Sequence, residues 1–200
     1  MKIAMIGSGA AGSVFAAYLR RGGADMYLVD KYKAHMDAIA AEGLTFRCKG
    51  EECVLTGFHT SPTAAELPVM DIVILMVKAT QTDGVMPDVM HCVGDKTVVV
   101  SLQNGIGNYD EIAKVVPEEQ ICCGTTAHGC TFLGPGHVRH TGRGVTNVGT
   151  LKGPFSNAQK VAEALRQAGF EAEAHENVMQ LIWHKLFANI AINAFIAPWV

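Results

Sequence analysis

The chain has 200 residues, 18% of them charged, a formal net charge of −3 and a sequence pI near 6.2. This balance argues against a partner that binds through bulk positive charge, such as nucleic acid or an anionic membrane. The start lacks the apolar run of a signal peptide and no later window holds the roughly 18 apolar residues of a membrane span, so we expect a cytoplasmic globular protein.

Strand-like and helix-like segments alternate from the first residue, which predicts an α/β fold with a doubly wound, mainly parallel sheet of the Rossmann type. Segment 71–77 is a continuous apolar run, typical of a central strand that is buried on both faces. Up to residue 130 the predicted elements are strands at 2–6, 26–30, 71–77, 97–101 and 120–124, helices at 10–21 and 33–42, and a hairpin at 44–55.

Glycines and a proline interrupt the chain after residue 130 and predict an antiparallel pair of strands, 137–141 with 145–149. A helix at 157–168 and a strand at 171–174 follow. From residue 176 a mostly apolar helical pattern runs to about 197, with little sequence after it to cover the helix. We therefore expect a dinucleotide-binding domain at 1–175, and at 176–200 the first helix of a truncated helical domain for substrate binding and dimerisation.

A Gly-x-Gly-x-x-Gly motif follows the first predicted strand and opens the first helix. Its residues are Gly7, Ser8, Gly9, Ala10, Ala11 and Gly12. In such a motif the first glycine permits a tight turn, the second lets the backbone approach a pyrophosphate, and the third allows close packing of helix on strand. The free N–H groups and the dipole of the helix attract the phosphates, so the motif predicts a dinucleotide site.

Asp30 stands at the end of the second predicted strand, where a carboxylate accepts hydrogen bonds from the adenine-ribose hydroxyls and repels a 2′-phosphate. Taken alone, Asp30 indicates NAD(H). Lys31 and Lys33 follow it, and either lysine offers a positive charge to a 2′-phosphate, or both are ordinary solvated lysines.

Two polar residues follow the ends of predicted central strands. Lys78 comes after the strand at 71–77, and Asn104 comes shortly after the strand at 97–101. Ligands of open α/β sheets bind at the carboxyl ends of strands, which makes both residues candidates for binding. The alternatives are a surface lysine and an ordinary Asn-Gly turn.

The last predicted helix carries Lys185, Asn189 and Asn193 at intervals of four residues, on one stripe with several apolar side chains. Buried polar groups cost about 1–3 kcal/mol each when they lack partners, so a bound polar substrate or an adjoining domain must satisfy them. Gln180 and His184 lie around the helix on its predicted solvent face.

The six cysteines include no Cys-x-x-Cys pair, so free thiols are expected rather than a zinc site or a disulfide framework. The histidines at 128, 137 and 140 come without a helical i, i+4 pair or an accompanying carboxylate. We therefore predict no metal site.

The sequence resembles the ketopantoate reductase (2-dehydropantoate 2-reductase) family over essentially its whole length. The resemblance rests on five ordered motifs: Gly-Ser-Gly-Ala-Ala-Gly at 7–12, Val-Lys-Ala-Thr-Gln at 77–81, Gln-Asn-Gly-Ile-Gly at 103–107, Gly-Thr-Thr-Ala-His-Gly at 124–129, and Trp-His-Lys-Leu-Phe-Ala-Asn-Ile-Ala-Ile-Asn at 183–193. It implies that Lys185 is the catalytic proton donor, that Asn189 and Asn193 bind substrate, and that Lys78, Asn104 and Gly129 contact the nicotinamide side of the cofactor, with Asn104 also near substrate.

The resemblance implies NADP(H) as the cofactor, reduction of 2-dehydropantoate to pantoate in pantothenate and coenzyme A synthesis, and a homodimer formed through the helical domain. NADPH-using members tend to carry an arginine where this chain has Asp30-Lys31, which leaves NAD(H) open. Two alternatives remain: a D-2-hydroxyacid dehydrogenase acting on other 2-oxo acids, and a dinucleotide-binding module without catalysis. Methyl transfer from a sulfonium donor would leave the stripe of Lys185 unexplained.

Overall fold

A computed structural model of the chain describes the backbone of residues 1–196 and the side chains of residues 1–191. The strands are β1 (Lys2–Ile6), β2 (Asp25–Val29), β3 (Leu44–Cys48), β4 (Glu51–Leu55), β5 (His59–Ser61), β6 (Ile72–Leu75), β7 (Val98–Ser101), β8 (Ile121–Thr126), β9 (Gly129–Gly134), β10 (His137–Gly142), β11 (Thr146–Thr150) and β12 (Ala172–His175). The helices are α1 (Ala10–Arg21), α2 (Lys33–Glu42), α3 (Thr82–Val89), α4 (Asn108–Ile112), α5 (Phe155–Gln167) and α6 (Met179–Ile196).

The main sheet has eight strands in the order β12-β11-β8-β7-β6-β1-β2-β5. All neighbours in it are parallel except β8 and β11. From β1 the chain builds the sheet outward through β2 and β5, then returns to place β6 on the other side of β1. The order therefore reverses between β1 and β6, and ligands of doubly wound sheets bind in the crevice at that point. The predicted fold class is confirmed.

The central strands are buried on both faces, as the apolar run at 71–77 predicted. Ile72 and Ile74 of β6 belong to a core that includes Phe15 of α1, and the alternate residues Val73 and Leu75 belong to a second core on the opposite face. Burial on both faces explains why these strands read as continuous apolar runs rather than as alternating patterns.

A second sheet has the order β4-β3-β10-β9. The hairpin predicted at 44–55 is confirmed by the antiparallel pairing of β3 with β4. The pairing predicted between 137–141 and 145–149 is wrong, because β10 pairs with β9 and β3 whereas β11 joins β8 and β12 in the main sheet. The intervening Gly144 makes this change of sheet sterically feasible, since a Cβ there would overlap the carbonyl of Ala127.

The predicted later elements are present with shifted ends. Helix α5 begins two residues earlier than predicted, and α6 begins at Met179 rather than at residue 176. Asn177 forms an Asx turn just before α6, because its Oδ1 accepts a hydrogen bond from the amide of Met179 at 2.9 Å. Among the helices of residues 1–196, none combines the length and the apolar character that a membrane span requires. All six cysteines are free.

Candidate functional site

The glycine motif forms the turn between β1 and α1, and each of its glycines has a different surrounding. Gly7 has a φ of +94°, and a Cβ there would lie 2.5 Å from the amide nitrogen of Val77. A Cβ on Gly12 would overlap the carbonyl of Gly7, whereas a Cβ on Gly9 would have no heavy atom within 4 Å. Gly7 and Gly12 are thus required by the packing, and Gly9 leaves open space above the helix.

The amino end of α1 suits an anionic group. Gly9 provides no side-chain cap, the first turn has no acidic residue, and Ala10 and Ala11 are only partly buried. The preceding turn is stabilised by Ser13, whose buried hydroxyl donates a hydrogen bond to the carbonyl of Ser8 at 2.6 Å. The N–H groups of the first turn therefore remain available to a phosphate.

His35, on α2, links this turn to the second sheet. Its Nδ1 accepts a hydrogen bond from the amide of Gly136 at 2.8 Å, so the ring proton is on Nε2, which lies 3.0 Å from the Ser13 hydroxyl. His35 is only 1% exposed, and burial lowers its pKa. A neutral histidine thus connects the loop between β9 and β10 to the glycine turn.

A cavity of about 300 Å³ lies on one side of the turn, and we call it the Asp30 cavity; Gly7, Gly9, Asp30 and Lys31 contribute to its lining. Oδ1 of Asp30 accepts a hydrogen bond from the amide of Tyr32 at 2.9 Å, and within residues 1–191 Oδ2 makes none. Lys33 pairs instead with Asp37, at 2.6 Å. Of the two lysines that follow Asp30, only Lys31 borders this cavity.

A larger open cleft, of about 930 Å³, lies on the other side of the turn, and we call it the Lys185 cleft. Five of the predicted site residues line it: Ala11, Lys78, Asn104, Lys185 and Asn189. Segment 76–78 lines both the cleft and the Asp30 cavity, so the two spaces are neighbours. An elongated ligand with a central anionic group could lie along both of them, across the amino end of α1.

Lys185 enters the cleft from α6. Its Nζ donates a hydrogen bond to the carbonyl of Thr126, at the end of β8, at 2.8 Å. Burial lowers the pKa of this amine, because the ammonium loses hydration. Gln180 and His184 are exposed, as predicted for the other face of α6. Asn193 belongs to α6, but its side chain lies outside the described residues.

Within residues 1–191, four predicted site residues border neither space: Ser8, Ala10 and Gly12, which belong to the glycine turn itself, and Gly129. Gly129 begins β9, where a Cβ would lie 2.8 Å from Oγ1 of Thr141 and 2.9 Å from the amide nitrogen of Gly142. The neighbouring residue, His128, lines the Lys185 cleft instead.

The sequence reasoning missed several residues that line the cleft, notably Gln103, Thr126, His128 and Asn147. Asn147 lies on β11, and its Oδ1 contacts Nε2 of His175 at 2.8 Å. Asn147 was missed because the strand that carries it, β11, was predicted to pair with the wrong partner. Gln103 and His128 lie within the motifs at 103–107 and 124–129, but no role at the site was predicted for them.

His128 belongs to a buried polar cluster behind the cleft. Its Nδ1 lies 3.1 Å from Nε2 of His140, whose Nδ1 lies 3.0 Å from the hydroxyl of Tyr18. Burial lowers the pKa of His128 to about 4. His137 is elsewhere, bound to the carbonyl of Pro135, and no group of three metal-ligating side chains occurs in the described part of the chain.

Known proteins resemble this chain in both sequence and structure. A family model described as ketopantoate reductase PanE/ApbA matches residues 3–153. The chain belongs to this family. The 2-dehydropantoate 2-reductase of Lactococcus lactis is 33% identical over 197 residues, and that of Pyrococcus horikoshii is 34% identical over 194 residues. Each match covers 96% of this chain, and the chain spans about 62% of the length of these relatives.

Solved structures agree with the family assignment. A 2-dehydropantoate 2-reductase from Geobacter metallireducens superposes with a TM-score of 0.91 at 27% identity, covering 98% of this chain and 65% of that one. A D-mandelate dehydrogenase, solved with NADH and anilino(oxo)acetate, superposes with a TM-score of 0.85 at 32% identity, covering 92% of this chain and 60% of that one. The resemblance to the ketopantoate reductase family is thus confirmed.

Proposed function

We propose that the protein reduces 2-dehydropantoate to pantoate with a nicotinamide dinucleotide, as a step of pantothenate and coenzyme A synthesis. The observation that carries this proposal is the placement of the Lys185 ammonium in a cleft adjoining the glycine turn. Its relatives named 2-dehydropantoate 2-reductase support the choice of substrate.

The described residues suit such a dinucleotide. Gly9 leaves room beside the uncapped amino end of α1 for the pyrophosphate, and the Asp30 cavity would receive the adenosine. Lys78 and Asn104 would flank the nicotinamide in the Lys185 cleft. When bound, the reduced nicotinamide supplies the hydride.

Lys185 would stabilise the charge that develops on the ketone oxygen and deliver the proton to it. Because burial lowers its pKa, its ammonium gives up a proton more readily than a solvated lysine does. Asn189, one turn further along α6 and also lining the cleft, would orient the polar groups of the substrate, and we assign the same role to Asn193.

For the cofactor we propose a preference for NAD(H) over NADP(H). The Asp30 carboxylate borders the cavity with one oxygen held by the Tyr32 amide, which suits a ribose hydroxyl and opposes a 2′-phosphate. The D-mandelate dehydrogenase with 32% identity was solved with NADH. Lys31, at the same cavity, is the residue that would favour NADP(H).

A D-2-hydroxyacid dehydrogenase that acts on other 2-oxo acids is the second candidate, because of the same structural relative. A panel of 2-oxo acids with branched and aromatic side chains separates the two, since each candidate requires the highest kcat/KM for its own substrate. A dinucleotide-binding module without catalysis would bind NADH and turn over none of the panel.

We propose that residues 1–175 form the dinucleotide-binding domain, and that the helix from about 176 begins a second, helical domain through which the protein dimerises. Diffusible substrates and cofactors suit a cytoplasmic enzyme.

The test compares two lysines that both bind backbone carbonyls. We expect Lys185→Ala to lower kcat with 2-dehydropantoate by about 10²–10⁴-fold, the range for loss of a general acid, with the Kd for NADH nearly unchanged. Lys160, which donates to the carbonyls of Asp71 and Lys96 outside the cleft, provides the control Lys160→Ala, with unchanged turnover. Full turnover in Lys185→Ala would remove this lysine from the mechanism.

A further inference from the structure

Gln103 follows β7 and is 8% exposed, and its side-chain amide makes three hydrogen bonds. Nε2 donates to the carbonyl of Val77 at 2.9 Å and to the hydroxyl oxygen of Thr82 at 2.8 Å, while Oε1 accepts from the hydroxyl of Ser101 at 2.9 Å. Because the Val77 carbonyl can only accept, the orientation of the amide is fixed. Both N–H groups of Nε2 therefore donate to residues of segment 77–82.

The residues between these two attachment points are exposed and border both binding spaces. Residues 78–81 lie at the surface between Val77 and the fully buried Thr82. Lys78 lines the Asp30 cavity and the Lys185 cleft, Ala79 lines the cleft, and Gln81 lines the cavity. One buried amide thus holds both ends of the segment that separates the two spaces.

The same segment touches the glycine turn. The amide nitrogen of Val77 lies where a Cβ on Gly7 would approach to 2.5 Å, and the amide of Met76 donates to the carbonyl of Ile6 at 2.8 Å. A shift at Val77 would therefore change the spacing between the glycine turn and Lys78. A ligand bound across both spaces is sensitive to that spacing, because misplaced contacts lose most of their binding energy.

We propose that Gln103 is a positioning residue for the dinucleotide: it clamps segment 77–82 at Val77 and Thr82 and so sets the relative position of the Asp30 cavity and the Lys185 cleft. This inference rests on the proposed function, since it requires one ligand to occupy both spaces. Gln103 itself need not touch the ligand.

Gln120 provides a matched control for the loss of a buried amide. It is 9% exposed, and its Nε2 donates to the carbonyls of Gly94 at 2.7 Å and Thr97 at 2.9 Å. It precedes β8, at the amino ends of the strands and away from both spaces. Replacing either glutamine by methionine removes two bonds to the segment it holds while keeping the side-chain length.

The experiment measures thermal unfolding and the Kd for NADH, by nicotinamide fluorescence, in the wild type, Gln103→Met and Gln120→Met. We expect both variants to unfold at similarly lowered temperatures, with Kd raised about tenfold in Gln103→Met and unchanged in Gln120→Met. An unchanged Kd in Gln103→Met, or an equal rise in both variants, would overturn the inference.

Two further measurements distinguish a failure of this inference from misfolding of the variant and from a failure of the proposed function. If Gln103→Met does not fold, Thr82→Val removes one end of the clamp, and the same tests of Kd apply to it. A wild type that binds neither NADH nor NADPH contradicts the proposed function and the inference together, whereas tight binding in both wild type and Gln103→Met contradicts the inference alone.

Discussion

Gly9→Ala should separate cofactor binding from folding. Gly9 has a φ of −66°, which alanine adopts freely, and an added Cβ would have no heavy atom within 4 Å. Alanine is a poorer residue than glycine at the start of a helix, but it also restricts the unfolded chain, and these effects oppose each other. The free energy of unfolding should therefore change by less than about 1 kcal/mol.

The same methyl group would stand in the space that we assign to the pyrophosphate. Each hydrogen bond from a backbone N–H to a charged phosphate contributes about 1.5–3 kcal/mol, so loss of one bond weakens binding by about 10–100-fold. Gly9→Ala should therefore bind NADH and NADPH at least about tenfold more weakly than the wild type.

Thermal unfolding and fluorescence titration with each dinucleotide measure the two effects. Gly7→Ala serves as the contrast: its positive φ and the contact with Val77 predict a large loss of stability. If Gly9→Ala unfolds like the wild type and also binds both dinucleotides like the wild type, then the pyrophosphate does not lie at this turn.

Two further predictions concern His128 and Asp30. Burial lowers the pKa of His128 to about 4, so between pH 6.5 and 4 the unfolded chain takes up a proton that the folded chain does not. The protein should lose about 3 kcal/mol of stability over that range, and His128→Gln should flatten this part of the curve of Tm against pH. Asp30→Ser should raise the Kd for NADH about tenfold and so reduce the preference for NADH over NADPH. Fluorescence titration with each dinucleotide measures the two Kd values. If their ratio is unchanged, Asp30 does not select between the two cofactors.

The parts of the fold that could be predicted from sequence are those set by local patterns. The glycine motif fixed the first turn, and the apolar run at 71–77 indicated a strand buried on both faces, because each signal lies within a few residues. The partners of β10 and β11 could not be found this way. Residue His137 pairs with Thr45, far away in the sequence, and no local pattern distinguishes that pairing from a hairpin with the next strand.

The candidate site was predictable to the same extent. Lys185 and Asn189 were visible as polar residues on an apolar stripe of one helix, and the structure places both in the cleft. The role of Gln103 depends on contacts with residues 77 and 82, which only the parallel pairing of β6 and β7 brings within reach. Gly129 illustrates the converse, since its neighbours are the hydroxyl of Thr141 and the backbone of Gly142 rather than a binding space.

The surroundings of Lys185 bear on the charge of the substrate. Within the described residues its ammonium has a carbonyl partner, Thr126, but no carboxylate, and burial lowers its pKa below the ordinary 10.5. The carboxylate of a 2-oxo acid would supply the missing negative charge, so substrate should bind best while Lys185 is protonated. As the pH rises through the lowered pKa, the KM for the 2-oxo acid should therefore increase, while the Kd for NADH stays level. Lys185→Arg keeps its charge throughout, and its KM should not depend on pH in this range. A wild-type KM that stays constant up to pH 10.5, the ordinary pKa of lysine, would show that the ammonium does not attract the substrate.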